Sequence, residues 1–197
     1  MAALIPNIIH NKDRHDRRDT LLAELKYQGI EEFRVWDAIY DSRGAHIGIN
    51  KAHKQIVEYA KQERLPEVLI FEDDIRFCGK GAFDYYIANK PEDFDIYLGG
   101  IYFGKIDENN QVERFAALHC YIVNSRFYDT FLGVSGEEHL DGALTGLGKY
   151  IVCNPFAAVQ YNGYSENNKH YCNFDSLLEN RNLLAPIDKI GVKNMVA

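Results

Sequence analysis

Leu69 to Phe77 reads LIFEDDIRF, and at its centre stand three consecutive carboxylates, Glu72, Asp73 and Asp74. They follow Val68–Phe71, four bulky apolar residues of the kind that form a strand buried on both faces. Like charges at the end of a buried strand repel one another and lose hydration, so something cationic must face them. A divalent ion is one solution. Oxygen-only ligands select Mg²⁺ or Mn²⁺, which complete their coordination with substrate phosphates. The other reading is local: Glu72 and Asp73 cap a following helix, or meet Arg76 in a solvated turn.

A second group of residues could handle phosphate. The cluster KDRHDRR, Lys12 to Arg18, is basic within a chain whose net charge is −7. Arg14 and Arg17 offer the planar, multi-donor geometry that suits a diphosphate, and positive charge at a helix start opposes the macrodipole without structural return. An exposed basic turn is the plainer alternative. The acidic balance excludes a nucleic-acid partner, which needs a basic stripe, but leaves room for one small phosphorylated ligand. Gly99 and Gly100 end another apolar run and allow either close approach of a ligand or a tight turn.

These groups need a frame. Leu4–Ile9 predicts a strand and Asp16–Gln28 a helix with the apolar face Leu21, Leu22 and Leu25, stopped by Gly29. Phe33–Trp36 is a second strand. Asn50 is placed to cap a helix with the stripe Ala52, Ile56, Val57 and Ala60, ending before Pro66, and Val68–Phe71 is the third strand. Asp95–Leu98 is a further strand. Ile101–Arg114 reads as a hairpin turning at Glu108–Asn110, His119–Val123 as a strand, and Ser125 as the cap of a helix to Leu132. Ser135 and Glu138 have capping-box spacing for a helix with the stripe Leu140, Leu144 and Leu147. Tyr150–Cys153 and Ala157–Tyr161 are late strands, and from Asn162 the chain reads as loop-rich.

Alternating strands and helices imply an α/β fold, a mostly parallel sheet with helices on both faces. Sites in such folds lie at the carboxyl ends of the strands, where His10–Arg14, Glu72–Asp74 and Gly99–Gly100 would converge. One domain over residues 1–175 with a tail from 176 to 197 accounts for the length. The four cysteines, Cys78, Cys120, Cys153 and Cys172, form no CxxC pair and read as reduced thiols. The short apolar run at the N-terminus is too brief for a signal peptide, and no window has the length of a transmembrane helix; a cytoplasmic protein is the expectation.

The run GINKAHKQIVEYAKQERLPEVLIFEDDIRF resembles the central signature of glycosyltransferase family 25, the lipooligosaccharide and collagen galactosyltransferase group. In it Gly48 and His53 open and line a helix, and the next strand ends in the acidic triplet. NIIHNKDRHDRRDTLLAELKYQGI, FRVWDAI, FDIYLGG, LHCYIVNSRFYDTFL, HLDGAL and VQYNGYSENN resemble the family's other segments in the same order, covering roughly Ile5 to Asp175.

The resemblance implies a GT-A fold, with Rossmann-like organisation. It also implies inverting transfer of a hexose, by the family's habit galactose, from a nucleotide sugar such as a UDP-sugar to a glycan acceptor, in lipopolysaccharide-type synthesis. The triplet then acts as a DxD motif: Asp74 and Glu72 bind Mn²⁺ or Mg²⁺, while Glu72 and Asp73 reach the metal's waters or the ribose. Asn11, Arg14, Arg17, His53, Gly99 and Gly100 complete the donor side. Asp141 matches the general base, with His139 two residues away, and His170 is placed as a late metal ligand. The rival readings are a non-catalytic nucleotide-sugar or carbohydrate-binding module on the same fold, and a metal-dependent nucleotidyltransferase or phosphatase.

Overall fold

A computed structural model describes residues 4–184. The chain runs β1 (Pro6–His10), α1 (His15–Tyr27), β2 (Arg34–Asp37), α2 (Ala45–Gln62), β3 (Glu67–Glu72), β4 (Ile75–Phe77), α3 (Ala82–Ala88) and β5 (Ile96–Leu98). It continues through β6 (Cys120–Asn124), α4 (Tyr128–Gly133), α5 (Leu140–Ala143), β7 (Tyr150–Val152), β8 (Ala158–Gln160), β9 (Gly163–Ser165) and β10 (His170–Cys172). The main sheet has the order β2-β1-β3-β6-β5-β7. Strands β2, β1 and β3 are mutually parallel, as are β5 and β7, and β6 lies antiparallel between β3 and β5. All strands but β6 therefore point one way, the mixed, mostly parallel sheet that the alternation implies.

Strand alternation shows why both faces carry helices. Val68 and Ile70 of β3 join a core with Ile56, Val57 and Ala60 of α2 and Phe131 of α4. Leu69 and Phe71 point the other way, into a core with Leu21 and Leu25 of α1 and Tyr86 of α3. A strand with two buried faces has to be apolar throughout, and Val68–Phe71 is.

Several boundaries differ from expectation. Helix α2 begins at Ala45, five residues ahead of Asn50, behind an extended Gly44. Gly48 makes this start feasible, because a Cβ there would stand 2.0 Å from the Ile39 carbonyl oxygen where the chain crosses the first turns. Asn50 is thus an interior residue, and its buried amide donates to the carbonyls of Ser135 at 2.9 Å and Glu138 at 3.3 Å. That pull holds 135–138 out of helical conformation. Helix α5 starts only at Leu140 with His139 as its N-cap residue, while Ser135 accepts from the Glu137 N–H instead.

Segment 101–116 forms no regular hairpin. It makes one internal bridge, Phe103 to Ala116, turns at 107–110, and bridges β7 from Gln111 to Ile151. Asn124, not Ser125, caps the short 3-10 turn ahead of α4. Strand β4 and helix α3 lie between Ile75 and Ala88, where the sequence pattern predicts no element, and beyond Asn162 the chain forms the β9–β10 hairpin rather than loop alone. Of the expected tail, 176–184 returns to the body through Leu178 and a bridge from Leu183 to Phe156, and 185–197 lies outside the described residues. The four cysteines are buried free thiols. Among the described residues no helix is long and apolar enough to cross a membrane.

Candidate functional site

Register assembles the site. Parallel pairing sets Ile9 of β1 opposite Glu72 of β3, so the residues that leave both strands, His10–Asn11 and Asp73–Asp74, emerge side by side. Asp73 accepts at one oxygen from His10 Nδ1 and from the Asn11 N–H, each at 3.0 Å. Its other oxygen accepts from Arg17 Nη1 at 2.7 Å, and the same nitrogen stands 3.0 Å from Asp74. Arg17 projects from the first turn of α1, so the charge that opposes the helix dipole is placed there by two buried carboxylates.

Glu72 is held from α2 and from β8. Its Oε1 is 3.3 Å from His53 Nε2, and its Oε2 accepts from the Gln160 amide at 3.0 Å. The same amide nitrogen donates to Asp74 Oδ1 at 3.0 Å. His53 is fixed from behind by the Tyr121 hydroxyl, 2.6 Å from Nδ1. A carboxylate only accepts, so Nε2 carries the imidazole proton and Nδ1 receives the Tyr121 O–H. Every carboxylate oxygen of the triplet thus has a donor on the protein.

The electrostatics differ along the triplet. Burial pushes the Asp74 carboxyl up to about 7, although Arg17 pulls it down, because Glu72 and Asp73 add like charge. Burial also acts upward on Glu72, yet the His53 hydrogen bond and the nearby Arg17 hold it below the ordinary carboxylate range. Arg17 loses hydration, but Asp74 and Asp73 raise its pKa all the same. One guanidinium against three carboxylates leaves the cluster short of positive charge.

A cleft of about 840 Å³ opens over this cluster and is lined also by Asn11, Arg14, Tyr40, His139 and Asp141. The late start of α5 lets His139 and Asp141 share the cleft, which a helix from Ser135 would have prevented. Asp141 accepts from the Gly142 N–H at 2.8 Å and the Ala117 N–H at 3.3 Å, so backbone donors orient it. Arg14 is engaged by Asp16 at 2.7 Å and donates, like Arg17, to the Tyr164 carbonyl. The hairpin β9–β10 is thereby tied to Arg14 and Arg17.

Three expectations are corrected. No helix follows the triplet directly and Arg76 pairs with Asp175, so neither local explanation of the carboxylates holds; Arg17 meets Asp73 and Asp74 instead. Gly99 and Gly100 are closely packed and do not line the cleft. A Cβ on Gly100 would stand 2.3 Å from the Ala158 carbonyl oxygen, and one on Gly99 would stand 2.7 Å from Cys120 Sγ. His170 is exposed on β10, bonds the Asn168 carbonyl and does not line the cleft, because the hairpin turns it outward. Two residues were missed, Tyr121 and Gln160. Gln160 lies inside the quoted segment VQYNGYSENN, and only the β4–β8 pairing shows that it abuts the triplet.

Among the described residues no three His, Cys, Asp or Glu side chains are grouped closely enough to hold a metal ion by themselves. Two carboxylates suffice for Mg²⁺ when a substrate phosphate supplies further oxygens. Glu72 and Asp74 meet that condition: both aim an oxygen at one point, at present filled by the positive end of the Gln160 amide. The donor set therefore fits a hard cation.

No protein-family model matches the chain, and no curated protein is similar to it in sequence. Solved structures are similar in fold. A197 from STIV superposes with a TM-score of 0.54 at 10 % identity, over 85 % of this chain and 91 % of that one. A mutant of Drosophila β1,4-galactosyltransferase 7, in complex with manganese, UDP-Gal and xylobiose, gives 0.50 at 9 % identity, over 94 % and 83 %. The fold is GT-A-like. HddC from Yersinia pseudotuberculosis, complexed with GMP-PN, gives 0.50 at 12 % identity, over 80 % of this chain and 93 % of that one.

Proposed function

We propose that the chain is a metal-dependent glycosyltransferase that moves a hexose from a UDP-sugar to a glycan acceptor with inversion. The observation that carries this reading is the shared cleft, which holds the acidic triplet with Arg14 and Arg17 together with a backbone-oriented carboxylate, Asp141. A galactosyltransferase bound to manganese and UDP-Gal has the same fold, which supports the choice of donor and of Mn²⁺ or Mg²⁺.

Glu72 and Asp74 would hold the cation, whose chemistry is to offset charge on the departing nucleoside diphosphate. Arg17, and Arg14 once released from Tyr164, supply further positive charge to the same diphosphate. Asp141 takes the proton of an acceptor hydroxyl as its oxygen forms a bond to the anomeric carbon. The bond from that carbon to the diphosphate oxygen breaks on the opposite face, and its electron pair leaves with the diphosphate. Inversion follows from this single displacement.

Asp141→Asn separates binding from chemistry. The variant is expected to retain stabilisation by UDP-sugar and Mn²⁺ in a thermal melt while transfer falls at least ~100-fold. Unchanged transfer would remove Asp141 from its assigned role.

A further inference from the structure

Gln160 is buried at the end of β8, set opposite Ile75 by the β4–β8 pairing and held there by the Tyr161 N–H to Asp74 carbonyl bond at 2.8 Å. Its amide nitrogen sits between Glu72 Oε2 and Asp74 Oδ1, 3.0 Å from each. We propose that Gln160 is the third protein ligand of the cation held by Glu72 and Asp74, and that its side-chain amide turns over when the cation binds. This inference rests on the metal-dependent reading above.

The chemistry follows from the amide. The two ends of a primary amide are nearly equal in size, one a double donor and the other an acceptor. With no cation, two N–H groups satisfy two buried carboxylate oxygens, Glu72 Oε2 and Asp74 Oδ1, that would otherwise be left without donors. A half-turn about the last side-chain torsion brings Oε1 to the same point with the backbone unmoved. The set is then two carboxylate oxygens and one amide carbonyl oxygen, the ligand types hard divalent ions prefer. It completes a site that acidic and imidazole side chains do not complete alone. A lysine here would fix a permanent charge and shut the cation out, and an aliphatic residue would leave both oxygens unpaired.

The competing role, a donor that only braces the two carboxylates, predicts an effect of opposite sign. If Gln160 merely occupies the cation's place, removing it frees Glu72 and Asp74 and tightens metal binding. If it is a ligand, removing it weakens binding.

The test is calorimetric titration of the full chain with Mn²⁺ alone and with Mn²⁺ in the presence of UDP, for wild type, Gln160→Leu and Gln160→Glu. The expected result is at least a ~10-fold weaker Mn²⁺ affinity in Gln160→Leu and an affinity at or above wild type in Gln160→Glu. Equal or tighter binding by Gln160→Leu would overturn the proposal, as would failure of wild type to bind Mn²⁺ under both conditions. Should Gln160→Leu not fold, the wild-type side-chain amide resonances of Gln160 are followed by NMR on Mg²⁺ addition. They are expected to move as their carboxylate acceptors are lost, and an unmoved pair contradicts the turnover. Sugar transfer is not a readout here, so a loss of the transferase reading and a loss of this one are told apart.

Discussion

Arg17 and Asp73, 56 residues apart, meet at 2.7 Å, and the same guanidinium nitrogen reaches Asp74. The helix after β1 and the end of β3 are joined by this contact, so it is at once a fold contact and the electrostatic centre of the cleft. Removing one partner of a largely buried ion pair leaves the other charge without compensation. Arg17→Met is expected to lower the stability of the chain by about 3 kcal/mol in urea denaturation. It should also weaken UDP binding. A variant of wild-type stability would mean that the pair is solvated in solution.

Gly100 gives a test of packing against sugar access. Because its Cβ would stand 2.3 Å from a carbonyl oxygen of β8, Gly100→Ala is expected to cost about 2 kcal/mol of stability. A role in sugar approach would instead leave the melt unchanged and reduce turnover alone.

Tyr121 acts on the cleft through His53 and Glu72. Tyr121→Phe removes the O–H that His53 Nδ1 receives, a loss of about 1 kcal/mol in stability. The orientation of Glu72 is expected to loosen, which shows as weaker Mn²⁺ affinity in a folded protein. Unaltered affinity would confine Tyr121 to the core.

Glu24 carries a pH prediction. It is buried on α1, where it accepts from the Phe77 N–H at 3.1 Å and the Tyr161 hydroxyl at 3.0 Å, and burial raises its pKa against the pull of those bonds. A raised folded pKa means that stability is fully present below the ordinary carboxyl value of about 4.3 and is lost as pH rises through the folded one. Glu24→Gln has no such titration. Its melting temperature is expected to exceed that of wild type at pH 8, with the gap closing toward pH 4. A gap that widens toward acid would reverse the sign and rule out burial as the cause.

What the sequence made legible follows from how local each signal is. Val68–Phe71 and the stripe Ile56, Val57 and Ala60 are apolar for reasons visible in a short window, and the sheet and its flanking helices follow from them. The start of α2 was not legible, since it depends on Gly48 fitting under the Ile39 carbonyl. Nor was the start of α5, since Asn50 draws on Ser135 and Glu138 from 85 and 88 residues away. The triplet and Arg17 were each singled out, but a pairing across 56 residues leaves no local trace. Gln160 carries no charge and no motif spacing of its own, and only strand pairing shows what it touches.

A cleft that binds and turns over a nucleotide sugar must respond to one directly. The direct measurement is a panel of nucleotide sugars with Mn²⁺, scored by thermal shift and by release of nucleoside diphosphate, wild type beside Asp74→Ala. A UDP-sugar that stabilises the wild type and is turned over, with both signals lost in Asp74→Ala, is the predicted result. Stabilisation without turnover, even with acceptor sugars present, would make this a binding module, and no response to any nucleotide sugar would contradict the account altogether.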